Sequence, residues 1–141
     1  MPMLSPHFSS EELTRTHTGI PNMPSGEAVA RLSETAKQLE KVRALLGGPL
    51  MISSGYRSPA VNKAVRGVST SAHCLGYAAD FDPPAGMSHY DAAVKIAHSD
   101  IPFDQLILEF GWIHISFDPR LRHQIMTKKS ASAPYEMGLN K

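Results

Sequence analysis

Three residues in this chain have the types and the order of a metal-binding set: His73, Asp80 and His114. The first two bracket the stretch His73-Cys74-Leu75-Gly76-Tyr77-Ala78-Ala79-Asp80. The third lies in Glu109-Phe110-Gly111-Trp112-Ile113-His114-Ile115-Ser116. Two imidazole nitrogens and one carboxylate oxygen suit zinc, at about 2.0–2.2 Å, and leave its fourth position open. That is the pattern of a catalytic zinc site rather than a closed structural one. Such chemistry also needs a base, and Glu109 is the acid nearest to His114 along the second fragment.

These fragments need elements to bring them together. Ser9 and Glu12 have capping-box spacing at the head of a short helix. A long helix starts near Glu27, with Val29, Leu32, Ala36, Leu39, Val42 and Leu46 as its buried stripe. Gly47-Gly48-Pro49 ends it. Leu50 to Ser53 reads as a strand, and Ser58-Pro59 as the cap and first turn of a helix that stops by Gly67. Val68 to Leu75 reads as a loop, and Tyr77 to Phe81 as a second strand. Ser88 caps a further helix with Ala92, Ala93, Ile96 and Ala97 on its inner face. Gln105 to Phe110 and Trp112 to Phe117 are two strands around Gly111, most simply a hairpin. The fold expected is α+β, a small, mainly antiparallel sheet that carries the zinc site and packs against helices. Residues 1–122 form one domain in this reading, and 123–141 a basic tail.

A two-residue loop at Phe110-Gly111 pairs Glu109 with Trp112 and Ile107 with His114. Glu109, Trp112, His114 and Ser116 then share one face, because side chains alternate along a strand. Glu109 stands diagonal to His114, with roughly 5–8 Å between their Cβ atoms. Ala78 and Asp80 share a face of the second strand, and Gly76 permits a sharp bend after His73.

Each residue also has an ordinary reading. A lone histidine is usually a surface or hydrogen-bonding residue, and His7, His17, His89, His98 and His123 are read so. Asp80 can be a strand-end turn residue, and Glu109 with Trp112 a plain cross-strand pair. Cys74 reads as a small buried thiol, and the tail from Arg120, five basic residues against Glu136, as a solvated end dispensable for chemistry.

A chain of 141 residues points to one compact domain. A net charge of +1 provides no field that calls for nucleic acid, and the single cysteine excludes an internal disulfide. No apolar stretch reaches the length of a membrane span, so no stable membrane insertion is expected. Met1 to His7 has no basic start followed by an apolar run. No signal peptide is expected, and synthesis in a bacterial (host) cytoplasm follows.

Ser71-x-His73-x-x-Gly76-x-Ala78-x-Asp80, followed by Trp112-x-His114, resembles the zinc D-alanyl-D-alanine carboxypeptidase and peptidoglycan endopeptidase family, which includes L-alanyl-D-glutamate endopeptidases. Ser54-Gly55-Tyr56-Arg57-Ser58-Pro59 with Asn62 resembles that family's upstream block. The N-terminal third is similar to the lead-in of small single-domain phage and prophage members. The resemblance implies a bound Zn2+ with His73, Asp80 and His114 as its ligands, and Arg57 on the carbonyl or carboxylate of the substrate. Ser71 and Trp112 join the substrate site in this reading. Several members place the catalytic glutamate three residues before the last histidine, where this chain has Gly111, so the role passes to Glu109. Related non-enzymatic zinc domains, such as the hedgehog signalling domain, keep the same ligand set. The implied activity is hydrolysis of a peptide bond in the peptidoglycan stem, by a monomeric phage-type lysis enzyme (endolysin) working at the cell wall. A cytoplasmic D-Ala-D-Ala dipeptidase and a non-catalytic, zinc-stabilised wall-binding module are the alternatives.

Overall fold

The computed structural model describes residues 3–141. Met1 and Pro2, where the segment read for a leader begins, lie outside the described residues. The chain opens with a small antiparallel pair, β1 (Met3–Ser5) and β2 (Phe8–Ser9). Its sequence, broken by Pro6, gave no sign of this pair. Ser9 then caps α1 (Ser10–Thr14), its Oγ accepting the Glu12 N–H at 3.1 Å as the capping spacing predicts.

The long helix α2 (Gly26–Leu46) ends at Gly47, which takes the left-handed conformation that glycine tolerates best. Its buried stripe begins at Ala28, not at the expected Val29, which is 40% exposed. Ala28 is four residues before Leu32 and eight before Ala36, so it shares their face. β3 (Met51–Ser54) follows, then α3 (Pro59–Ala64), capped by Ser58 with Pro59 in its first turn. Part of the expected loop is a 3₁₀ turn, Ala72–Leu75, closed by Gly76. β4 (Ala78–Asp82), α4 (His89–Ala97), β5 (Gln105–Leu108) and β6 (Ile113–Ser116) complete the elements expected from the pattern.

β5 and β6 form the hairpin in the expected register, with Ile107 opposite His114 and the Glu109 N–H donating to the Trp112 carbonyl. The helix-side face of the sheet holds Ile52, Ala79, Phe81, Leu106, Leu108, Ile113 and Ile115, all in one core with the apolar faces of α2 and α4. The opposite face is the one that carries the chemistry.

The sheet is mixed, not the mainly antiparallel one expected, and its strand order is β3-β4-β6-β5-β7-β8. The tail supplies the difference. β7 (Gln124–Thr127) pairs parallel to β5, and β8 (Glu136–Met137) pairs antiparallel to β7. The expectation of a solvated tail is therefore overturned. Arg122 clamps the buried Asp104 through Nε at 2.8 Å and Nη2 at 2.7 Å, and Arg120 pairs with Asp118 at 3.0 Å. Lys128 Nζ donates to the Ala133 carbonyl at 2.6 Å. These cations are paired within the fold, although Arg120 and Arg122 stay exposed.

A chain ending at Arg122 loses β7 and uncovers the outer edge of β5. It is expected to melt at least ~10 °C below the full chain, the effect of losing a few kcal/mol in a domain of this size. Thermal unfolding followed by circular dichroism measures this. A truncated chain melting within about 2 °C of the full one would return the tail to solvent.

Candidate metal centre

The local sequence places each donor by a separate device. Asp80 and His114 sit directly opposite each other on β4 and β6, so their side chains emerge side by side. His73 comes from the 3₁₀ turn, where Ser71 Oγ accepts the His73 N–H at 3.2 Å and starts the turn. Gly76 lets the chain reverse into β4 with φ +88°. A Cβ at this position would stand 2.8 Å from the Ala28 carbonyl, so α2 closes over the turn only because this residue is glycine.

The three donors converge. His114 Nδ1 lies 2.9 Å from Asp80 Oδ1, and His73 Nε2 lies 3.2 Å from both Asp80 Oδ1 and His114 Nδ1. Ligands at zinc distances on a tetrahedron are about 3.3–3.4 Å apart, so this triangle has nearly the size of one tetrahedral face. All three residues are buried: His73 is 2% exposed, Asp80 5% and His114 8%.

The hydrogen bonding around the triangle favours a cation at its centre. His73 Nδ1 lies 2.7 Å from the Gly55 carbonyl, which can only accept, so Nδ1 carries the proton. Burial, against the pull of Asp80, keeps the imidazole below its ordinary pKa and hence neutral, leaving a bare lone pair on Nε2. Burial alone would raise Asp80, but its contacts with His73 and His114 outweigh that and hold the carboxyl well below the ordinary carboxylate range. Its second oxygen, Oδ2, accepts from Arg57 Nη2 at 3.2 Å. A lone pair and a carboxylate oxygen facing each other in a buried site repel unless something positive lies between them. A proton on His114 Nδ1 can point at only one of them, whereas a metal ion satisfies all three donors. The residues therefore fit zinc.

Arg57 does more than line the substrate side. Nε donates to Ser54 Oγ at 3.1 Å, Nη1 to Asn62 Oδ1 at 3.4 Å and Nη2 to Asp80. Three of its five N–H groups hold the frame around Asp80, and two remain for a ligand. Ser54-Gly55-Tyr56-Arg57 thus supplies both outer contacts of the donors, the Gly55 carbonyl and the Arg57 guanidinium. Gly55 is required here because a Cβ would run into the Leu13 carbonyl.

A cleft of about 720 Å³ opens over the triangle. Glu109 and Trp112 line it one step along the sheet from His114, and Ser71 lines it from the turn. Burial raises the Glu109 carboxyl above its ordinary value, with His114 opposing and Asp80 adding to the rise. Trp112 stacks edge-on against Phe110 at 4.5 Å. Its Nε1–H is buried near the Glu109 carboxylate without a hydrogen bond of ordinary geometry. Cys74, expected to be a buried thiol, is half-buried, and burial pushes its pKa up, which makes it a poor ligand. Asp82, which follows Asp80 on the same face of β4, pairs with His89 at 2.8 Å. The sequence reading missed Met126, Lys128 and Tyr135, which also line the cleft. They belong to the segment read as a tail.

An α+β domain with a buried His-Asp-His centre beneath an open cleft has the build of a metallohydrolase. The model of the family Peptidase M15 matches residues 6–116, and the chain belongs to that family. Comparison with curated proteins gives no match. Peptidases of this family are zinc-dependent metallopeptidases, and the buried His73, Asp80 and His114 form a group that could hold the ion. Among the described residues no helix is long and apolar enough to cross a membrane.

Proposed function

We propose that this chain hydrolyses a peptide bond within the stem of bacterial peptidoglycan, as a monomeric endopeptidase of the phage lysis type that acts at the cell wall. The observation that carries this reading is the three-donor centre in a cleft that Glu109 also lines. Zinc at the centre would lower the pKa of a bound water to about 7 and polarise the scissile carbonyl. Glu109 takes a proton from the attacking water and returns it to the leaving amine. Its raised pKa suits that exchange at neutral pH. The two free N–H groups of Arg57 meet a carbonyl or carboxylate of the substrate, while Asp80 keeps the guanidinium in place. Trp112 provides an apolar wall and keeps its indole N–H near Glu109.

The cleft, about 720 Å³, has room for a stem peptide. It lies well within the ~300–1,000 Å³ that takes a drug-sized ligand. Digestion of purified peptidoglycan by zinc-loaded protein is expected to release new termini within the stem, identified by mass spectrometry. Trimming of terminal D-alanine alone would make it a carboxypeptidase. Fragments of several stem types left intact after long incubation would sink the peptidase reading and leave a wall-binding module.

A further inference from the structure

The family match ends at residue 116, yet the chain beyond it builds one wall of the cleft. β7 lies against β5, so Met126 stands in register with Ile107, which in turn faces His114. Lys128 continues from β7, its N–H donating to the Leu108 carbonyl at 2.9 Å. The chain then loops back through Tyr135 into β8. Lys128 Nζ holds this loop at the Ala133 carbonyl and lies 4.5 Å from the centre of the Tyr135 ring. Thr127 Oγ1 donates to the Gly138 carbonyl at 2.7 Å on its far side. Tyr135 is thereby held in place, although it is 54% exposed.

Its hydroxyl makes no hydrogen bond among the described residues. Burial raises the phenol, and the nearby carboxylates of Glu109 and Asp80 raise it further, so at neutral pH the oxygen carries its proton. The strand order sets the metal donors, on β4 and β6, between Arg57 beside β3 and Tyr135 before β8. Both residues line the cleft over the centre, a guanidinium on one side and a free phenol donor on the other.

We propose that Tyr135 is a substrate-contacting residue whose hydroxyl donates a hydrogen bond to the oxygen of a ligand at the metal centre. In the peptidase reading, on which this role in catalysis rests, that oxygen belongs to the carbonyl under attack. A donor aimed at developing charge strengthens as the reaction proceeds, and its loss falls mainly on kcat.

The experiment compares the full-length zinc-loaded chain with Tyr135→Phe, which keeps the ring beside Lys128. Acetohydroxamate affinity is measured by calorimetry, and kcat and KM are measured on a stem peptide. The hydroxamate needs only an open metal site and its neighbouring donors, so it reads Tyr135 whether or not stem peptides are substrates. Tyr135→Phe is expected to weaken hydroxamate binding about tenfold. It is expected to lower kcat by about 10²-fold with little change in KM, at unchanged zinc content and melting temperature. A tenfold loss of hydroxamate affinity with stem peptides untouched by either protein supports the Tyr135 contact and removes the peptidase reading. Hydroxamate bound within twofold by the two proteins, or not bound by the wild type, overturns the proposal.

Discussion

His114→Ala is expected to lose both zinc and turnover while the chain still folds. Wild-type protein should hold about one zinc per chain, and His73→Ala and Asp80→Ala should behave like His114→Ala. Each substitution breaks a triangle whose sides are 2.9–3.2 Å and removes one of the three donors found among the described residues. Outer contacts of a metal site cost about 10–100-fold in affinity when removed. A direct ligand costs more, and Arg57→Ala, which frees Asp80 Oδ2, should fall in that 10–100-fold range. Elemental analysis after dialysis and competition with a chelating dye measure these differences. The same logic makes zinc a stabiliser of the native state. At a hundredfold excess over its dissociation constant it adds about 2.7 kcal/mol, so a chelator should lower the melting temperature by ~5–10 °C. Full zinc in His114→Ala would remove that residue from the ligand set.

How much of this was legible in the sequence depended on how local the signal was. The β5–β6 hairpin could be read because a period of two runs through Ile113, Ile115 and Phe117 and a glycine marks the turn. That fixed the pairing of Ile107 with His114, and so the face that His114 shares with Glu109. Three helix starts could be read because Ser9, Ser58 and Ser88 each bond their own helix within three residues, and Ser25, not singled out in the sequence, caps α2 in the same way.

The tail could not be read in this way. Gln124-Ile125-Met126-Thr127 is short and half-polar, and it meets β5 only through a parallel pairing along the whole of that strand, nineteen residues back in the chain. Nothing within a window of ten residues reports such a contact. The basic residues misled for a related reason. Arg122 looks solvated until the buried Asp104, distant in sequence, is seen to need it. The double role of the Ser54–Arg57 block was hidden too. The Gly55 carbonyl that fixes the His73 proton belongs to the backbone, and a sequence does not show which carbonyl faces which ring.

Glu109→Gln is expected to keep zinc and fold and to lose catalysis by ~10²–10⁴-fold, the range for removal of a general acid–base. The amide has nearly the shape of the carboxyl, and Glu109 contributes no donor to the triangle, so the metal should stay. Glu109 is half-buried beside His114 and its pKa is raised chiefly by burial, which makes the carboxylate more basic than an exposed one. Its position five residues before His114 does not prevent this role, because the turn at Phe110–Gly111 returns the chain with both side chains on the cleft face. Substrate binding should change far less than kcat, since a proton transfer is felt in the transition state and hardly in the ground state. Single-turnover rates and peptide affinity, measured on protein of verified zinc content, separate the two effects. Asp82, the next acid after Asp80 on the same face of β4, does not line the cleft, and its contact with His89 at 2.8 Å holds it at the end of the strand. Turnover within a few-fold of wild type in zinc-replete Glu109→Gln would strip Glu109 of the base role and leave the metal centre untouched.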